Sequence, residues 1–225
     1  MQIICDKNLN NNSISFKAKE DASIRTLVND VTNDFTVYRV DYSDSVFLDK
    51  MCSKINLSKL TSSKAYSKIV LKTWKNIINN AVFNAKFDEP QKTFLITQNS
   101  KPCGIMSYQN IPNLYLDNIA TWPVKKNVFN KGVGTSLLAL LFINSKANNV
   151  KSIYLDCVKN SSINLEKFYK SFGFVKNVDR NLFDMVTRKS VIEEQCARFD
   201  KFVKIKKING KQVDLNKVLN IDYNI

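Results

Sequence analysis

Between residues 67 and 122 the apolar positions change period. In "SKIVLKTWKNIINNAVFNAKF", residues 67 to 87, Ile69, Leu71, Trp74, Ile77, Ile78 and Val82 recur at helical steps and line one side. The proline of "EPQ", Pro90, cannot continue that helix. From Lys92 the period drops to two. "KTFLITQNSKPCGIMSYQ", residues 92 to 109, predicts a hairpin turning at "NSKP", and "NLYLDNIATW", 113 to 122, predicts a third strand. A continuous apolar run then predicts a helix from about Thr135 to Asn148. "KSIYLDCV", 151 to 158, has the character of a buried strand. "SSINLEKFYKSF", 161 to 172, is a short amphipathic helix with Gly173 as its C-terminal cap, and "NLFDMVTR", 181 to 188, is one more strand.

The two ends are different in pattern. Ile14 to Ala18 reads as a strand, followed by a helix from about Asp21 with Ile24, Leu27, Val28 and Val31 on one face. Residues 35 to 63 follow no clear period. Near the C-terminus, Lys alternates with Val, Ile and Phe on both sides of Asn209-Gly210, the strongest short signal for a tight hairpin. That segment holds seven basic and three acidic residues between Arg198 and Ile225. The expected organisation is one α/β domain over 1–190 with a basic extension, 191–225, folded as a hairpin.

Composition narrows the class. At 225 residues, with 44% hydrophobic and 24% charged positions, the chain can bury a sizeable core. Its formal net charge of +14 attracts nucleic acid, acidic protein or phosphate-rich ligands, or else reflects a bias spread along the whole chain. The five cysteines, Cys5, Cys52, Cys103, Cys157 and Cys196, are scattered, and there is no histidine, so no metal site is expected. Scattered thiols fit a reducing cytoplasm. The apolar stretch in "MQIICDKNLNNN" is too short for a signal peptide, and residues 137–143 are too few to span a bilayer, so no membrane association is expected.

The chemistry centres on "NKGVGTS", residues 130 to 136. Gly132 and Gly134 bare the main chain where a helix begins, and the first helical N–H groups have no partner within the helix. Lys125, Lys126 and Lys131 add positive charge, and Thr135 offers a hydroxyl, so an anion site is one reading. Close packing around a tight turn is the other. A phosphate-binding P-loop would need a lysine after the second glycine, and a dinucleotide fingerprint would need a third glycine where Leu137 stands, although Asp156 lies at a suitable distance downstream.

The order of strand, G-x-G loop, helix, strand and a helix ending "FYKSFGFV" resembles the GNAT superfamily of N-acetyltransferases over roughly residues 14 to 188. Tyr169, Gly173 and Phe174 match the family's later motif, a Tyr four residues before a Gly-Phe pair. The resemblance implies a mixed, mostly antiparallel central sheet flanked by helices, and acetyl-coenzyme A as co-substrate. It implies pyrophosphate contacts from Asn130, Lys131, Gly132, Val133, Gly134 and Thr135, and a cofactor-facing residue at Ser162, beside Asn160 and Asn164. It places a main-chain contact to the thioester carbonyl near Ile119, Ala120 and Thr121. The chain departs from the pattern at Phe129, where Arg or Gln is usual, and at Pro123, which sits further from the glycines than is common.

The same resemblance offers Tyr169 as the acid that protonates the departing thiolate; packing against Phe168 is the competing role. Without histidine, a carboxylate or a water relay must take the amine's proton. Asp117, placed by alternation on a face with Tyr115 and Ile119, is the candidate base, with an ordinary strand aspartate as the alternative. The expected function is acetyl transfer to a primary amine whose identity the sequence does not reveal, in a protein amine, aminoacyl-tRNA or small molecule. The rival is a non-catalytic basic module of the same fold that binds nucleic acid or protein. Its C-terminal lysines either steer an acidic partner or guard a sheet edge.

Overall fold

The computed structural model describes residues 18–28, 31–55, 67–87, 89–122, 132–159, 161, 163–178 and 183–221. Nine strands form one sheet: β1 (Ala18–Val28), β2 (Val31–Val40), β3 (Gln91–Gln98), β4 (Lys101–Ile111), β5 (Asn113–Thr121), β6 (Ser152–Leu155), β7 (Val175–Lys176), β8 (Met185–Arg188) and β9 (Val203–Val213). Their order across the sheet is β7-β8-β6-β5-β4-β3-β2-β1-β9. All neighbours run antiparallel except β5 and β6. The described residues also include six α-helices: α1 (Ser45–Ser53), α2 (Lys68–Asn84), α3 (Val133–Ala147), α4 (Leu165–Lys170), α5 (Lys189–Phe199) and α6 (Leu215–Val218).

The helices bury both faces of the sheet. On one face Leu137, Leu140 and Phe142 of α3, Tyr169 of α4 and Ile192 and Phe199 of α5 share a core with Leu114 and Leu116. On the other, Phe47, Leu48 and Met51 of α1 and Ile78, Ala81 and Val82 of α2 pack with Leu95, Ile105 and Ala120. Helix α3 is apolar all round because it is enclosed on all sides, with Val133 and Leu137 through Phe142 fully buried.

Several expected elements stand close to where the periodicity put them. The hairpin of β3 and β4 turns on Asn99 and Ser100, both at positive φ. The helix expected over 67–87 is α2, N-capped by the Ser67 side chain, which accepts from the Val70 amide. Gly173 takes φ +79 after α4, and a Cβ there would meet Val191 of α5 at 2.3 Å. The helix expected over 161–172 shortens to α4 because Asn164 caps it, accepting from the Lys167 amide at 2.8 Å.

Both ends of the chain differ from expectation. The helix expected from Asp21 is strand β1, paired with β2 in register up to Val28 opposite Val31. Ile24 is buried and Arg25 and Leu27 are exposed, so a period of two serves this segment, and β-branched residues favour that choice. Residues 35–40 and 45–53, unassigned from sequence, are the end of β2 and helix α1. Of the expected strand at 14–18, only Ala18 lies within the described residues.

The C-terminal hairpin is also corrected. Residues 203–213 form the single strand β9, which pairs with β1 throughout. Lys207 lies opposite Ala22 and Lys211 opposite Glu20, so Asn209-Gly210 makes a bulge rather than a hairpin turn, with Gly210 at φ +50. A neighbouring strand is available to pair with both halves, and that outweighs the local turn preference. Lys204, Lys206, Lys207 and Lys211 are exposed along this edge.

Asp44 is buried at the start of α1 and accepts from the Asp41 amide at 3.2 Å. Burial, reinforced by the charges of Asp41 and Asp214, pushes its carboxyl up to about 6. A carboxyl whose value rises on folding destabilises the folded state once pH exceeds its ordinary range. Asp44→Asn is therefore expected to raise stability at pH 7 by about 2 kcal/mol, and the gain should fade as pH falls from 6 towards 4. Chemical denaturation at four pH values measures this, and a gain independent of pH would assign the effect to something other than the buried charge.

Candidate active site

Strand β5 carries two irregularities that together make an opening. It pairs with β6 only from Leu114 to Leu116, opposite Ile153 to Leu155. Between Asp117 and Thr121 no strand among the described residues pairs with that edge. The Trp122 amide donates to Cys103 on β4 at 2.7 Å. By alternation Ala120 also turns its main-chain groups to β4, whereas Ile119 and Thr121 turn theirs to the open side. Of the three residues expected to hold the thioester carbonyl, Ile119 and Thr121 thus face the opening and Ala120 faces β4.

The second irregularity is a bulge. Ser107 pairs with Asn118 and Tyr108 with Leu116, which leaves Asp117 as the extra residue. A bulge interrupts side-chain alternation. Leu114 and Leu116 point to the α3 face, and so does Ile119, while Asp117 and Asn118 both turn to the α2 face. Asp117 shares a face with Tyr115, but the expected partnership with Ile119 does not hold.

On the α2 face Asp117 is half-buried and accepts from three carboxamides: Gln91 at 2.5 Å, Gln109 at 3.1 Å and Asn84 at 3.4 Å. Desolvation raises its pKa, and the hydrogen bonds from Gln91 and Gln109 oppose that rise. Ser107 Oγ accepts from Asn84 and Asn118 at 3.1 and 3.0 Å, joining the cluster to β4. Sequence reasoning found none of these amides, because isolated Gln and Asn residues in strands carry no periodic signal.

Helix α3 begins beside the opening. Gly132 is its N-cap at φ +86, a conformation that costs a residue with a Cβ about 1 kcal/mol or more. Gly132 has no side chain to cap the helix, and the amides of Val133, Gly134 and Thr135 have no intrahelical partner. A Cβ on Gly134 would lie 3.9 Å from Thr121 and 3.7 Å from Phe168, both ordinary contacts. A Cβ on Gly104 of β4 would instead meet Val133 at 2.6 Å. Close packing is therefore the role of Gly104, while Gly132 serves the turn and Gly134 is not required by either. Asn130, Lys131 and Ser162 lie outside the described residues, as do Pro123, Lys125, Lys126, Phe129 and Asn160.

Tyr169 closes the α3 side. It is 4% exposed, stacked edge-on against Phe168 and Phe174, and its hydroxyl has no hydrogen-bond partner among the described residues. Burial, with a smaller effect from Cys157, raises its pKa, so the phenol keeps its proton at neutral pH. Asp156 accepts from Tyr115 at 2.9 Å and from the Asp184 amide at 2.9 Å, so each of its oxygens is engaged within the fold. Among the described residues no three His, Cys, Asp or Glu side chains gather as metal ligands, and no helix is long and apolar enough to cross a membrane.

Residues 58–187 match the family model for the acetyltransferase (GNAT) domain. The chain belongs to the GNAT acetyltransferase family. Acetyl-coenzyme A is the acetyl donor that goes with that membership. Comparison with solved structures finds similarity to the PaiA N-acetyltransferase of Thermoplasma acidophilum in complex with coenzyme A, at 17% identity over 68% of this chain and 96% of that one, TM-score 0.45. A predicted acetyltransferase of Clostridium acetobutylicum with acetyl-CoA is 18% identical over 64% and 92%, TM-score 0.39. The GNAT domain of S. lividans PAT is 11% identical over 76% and 96%, TM-score 0.47. No curated protein matches the chain.

A phosphate contact and simple packing make opposite predictions at Gly134. Because a methyl group fits there and alanine favours helices, Gly134→Ala is expected to keep the melting temperature within about 2 °C. Calorimetric titration should show acetyl-coenzyme A affinity reduced about tenfold, since the methyl covers the first-turn amides. Unchanged affinity would remove Gly134 from the phosphate site.

Proposed function

We propose that this GNAT-family chain acetylates a primary amine, with Asp117 taking the amine's proton and Tyr169 supplying one to the departing sulfur. The observation that supports the reading best is their placement: the carboxylate lies on the α2 face of the sheet and the phenol on the α3 face, with the unpaired edge of β5 between them. An acyl group lying in that gap can meet its nucleophile from one side and release its thiolate on the other.

The donor's diphosphate is held by the main chain of Gly132, Val133, Gly134 and Thr135, and by Asn130 and Lys131, which precede them in sequence, and the cofactor is faced by Ser162. Ile119 and Thr121 present main-chain N–H groups at the open edge, where a carbonyl gains charge as it becomes tetrahedral. One C–N bond forms and one C–S bond breaks. Asp117 accepts the proton from the amine, directly or through a water, and Tyr169 gives its proton to sulfur and recovers one from solvent. The acceptor belongs to a protein amine, an aminoacyl-tRNA or a small amine, and the exposed lysines of β9 suit an acidic carrier of it.

Incubating lysate proteins and tRNA with labelled acetyl-coenzyme A and locating the label by mass spectrometry identifies the acceptor class. The absence of both label and calorimetric binding would leave a basic module without catalysis. With the acceptor in hand, Asp117→Asn is expected to lower kcat by about 100-fold with little change in acetyl-coenzyme A affinity. Equal turnover in that variant removes Asp117 from the mechanism. Tyr169→Phe preserves the packing with Phe168 and Phe174, so it should fold normally and lose about 10- to 100-fold in kcat. An unchanged kcat would leave the phenol a packing residue.

A further inference from the structure

We infer that Asn84, Gln91 and Gln109 are positioning residues for Asp117: neutral N–H donors from three separate elements that fix its carboxylate without cancelling its charge. The inference rests on the reading of Asp117 as the proton acceptor, and it concerns what gives that group its orientation and basicity.

The geometry is specific. Asn84 closes the last turn of α2, Gln91 opens β3 and Gln109 lies near the end of β4. Gln91 and Asn84 donate to Oδ2, and Gln109 donates to Oδ1, so both oxygens are held and the plane of the carboxylate cannot swing freely. Asn84 is anchored in turn by donating to Ser107. The bulge at Asp117 is what brings the side chain to this face beside Asn118.

No described Lys or Arg pairs with Asp117, and several of the nearest cations are engaged elsewhere. Lys86, beyond the end of α2, pairs with Asp49 at 3.0 Å. Arg39 on β2 and Lys92 on β3 pair with Glu89 at 2.8 and 3.6 Å. Tyr115, the titratable neighbour on β5, donates its hydroxyl to Asp156. An Arg or Lys in place of the amides would stabilise the ionised form far more strongly and leave a poor base. Amides orient the group at a smaller cost to basicity, while partial burial works in the opposite direction.

The test is a carbon-13 carboxyl titration of Asp117 by NMR in the full chain, without coenzyme, for the parent, Gln91→Leu, Gln109→Leu and Gln91→Glu. Each Leu variant removes a donor to the charged form and should raise the proton affinity of Asp117 about tenfold. Gln91→Glu keeps the shape, sets a second carboxylate against the first, and should raise the pair's upper titration step further. Midpoints that stay in place in these variants, with the amide spectrum still that of the folded chain, would overturn the inference. The acidic limb of the turnover profile reads the other question. If the midpoint moves and that limb does not, the cradle stands and Asp117 is not the base.

Discussion

The site depends on strand β5 being unable to keep both of its neighbours. Its pairing with β4 is continuous apart from the bulge, but its parallel pairing with β6 ends at Leu116. Beyond that point, main-chain groups that would otherwise be satisfied within the sheet are left for something else. Unpaired N–H and C=O groups next to a core are costly unless water or a ligand meets them. The same opening receives the N-terminus of α3, whose first-turn amides are also uncommitted. Two sets of main-chain donors without a partner among the described residues thus converge at the end of β5, next to Thr121 and Gly134.

The packing around the opening explains why it holds its shape. Gly104 lets Val133 sit directly on β4, which sets the depth of the start of α3. Phe168, Tyr169, Phe172 and Phe174 form a run of edge-on and stacked rings with Phe142 and Phe199, tying α4 to α3 and α5. Gly173 then admits Val191 of α5 against the turn after α4. The C-terminal segment therefore supports the wall of the site, even though its charge pattern first suggests an appendage.

Much of this was legible in the sequence where structure follows local spacing. The β3–β4 hairpin, β5, the glycine-bearing turn, α3 and the Tyr169–Gly173–Phe174 motif all show in residue spacing and in glycine's freedom at positive φ. The misreadings arose where tertiary pairing decides. Residues 21–28 carry apolar groups that fit either period, and only partners β2 and β9 make them a strand. Asn209-Gly210 can turn or bulge, and β1 makes it bulge. A bulge in β5 cannot be seen from alternation, since Asn113 to Thr121 alternate without a break in burial. The amides around Asp117 come from positions 84, 91 and 109, which only the folded sheet and α2 bring together.

That cluster is informative because of the chain it occurs in. With 34 Lys and Arg against 20 Asp and Glu, a cation is the statistically easy partner for any carboxylate. Several surface acids follow that expectation: Asp34, Asp49, Glu89 and Glu166 pair with basic side chains. Asp117 is more enclosed than these, so an unmatched charge there is dearer in free energy, yet its partners are neutral. An enclosed carboxylate held by neutral donors can still exchange a proton; Asp44 at the start of α1 has that property too, and Asp117 is the one beside the unpaired edge of β5.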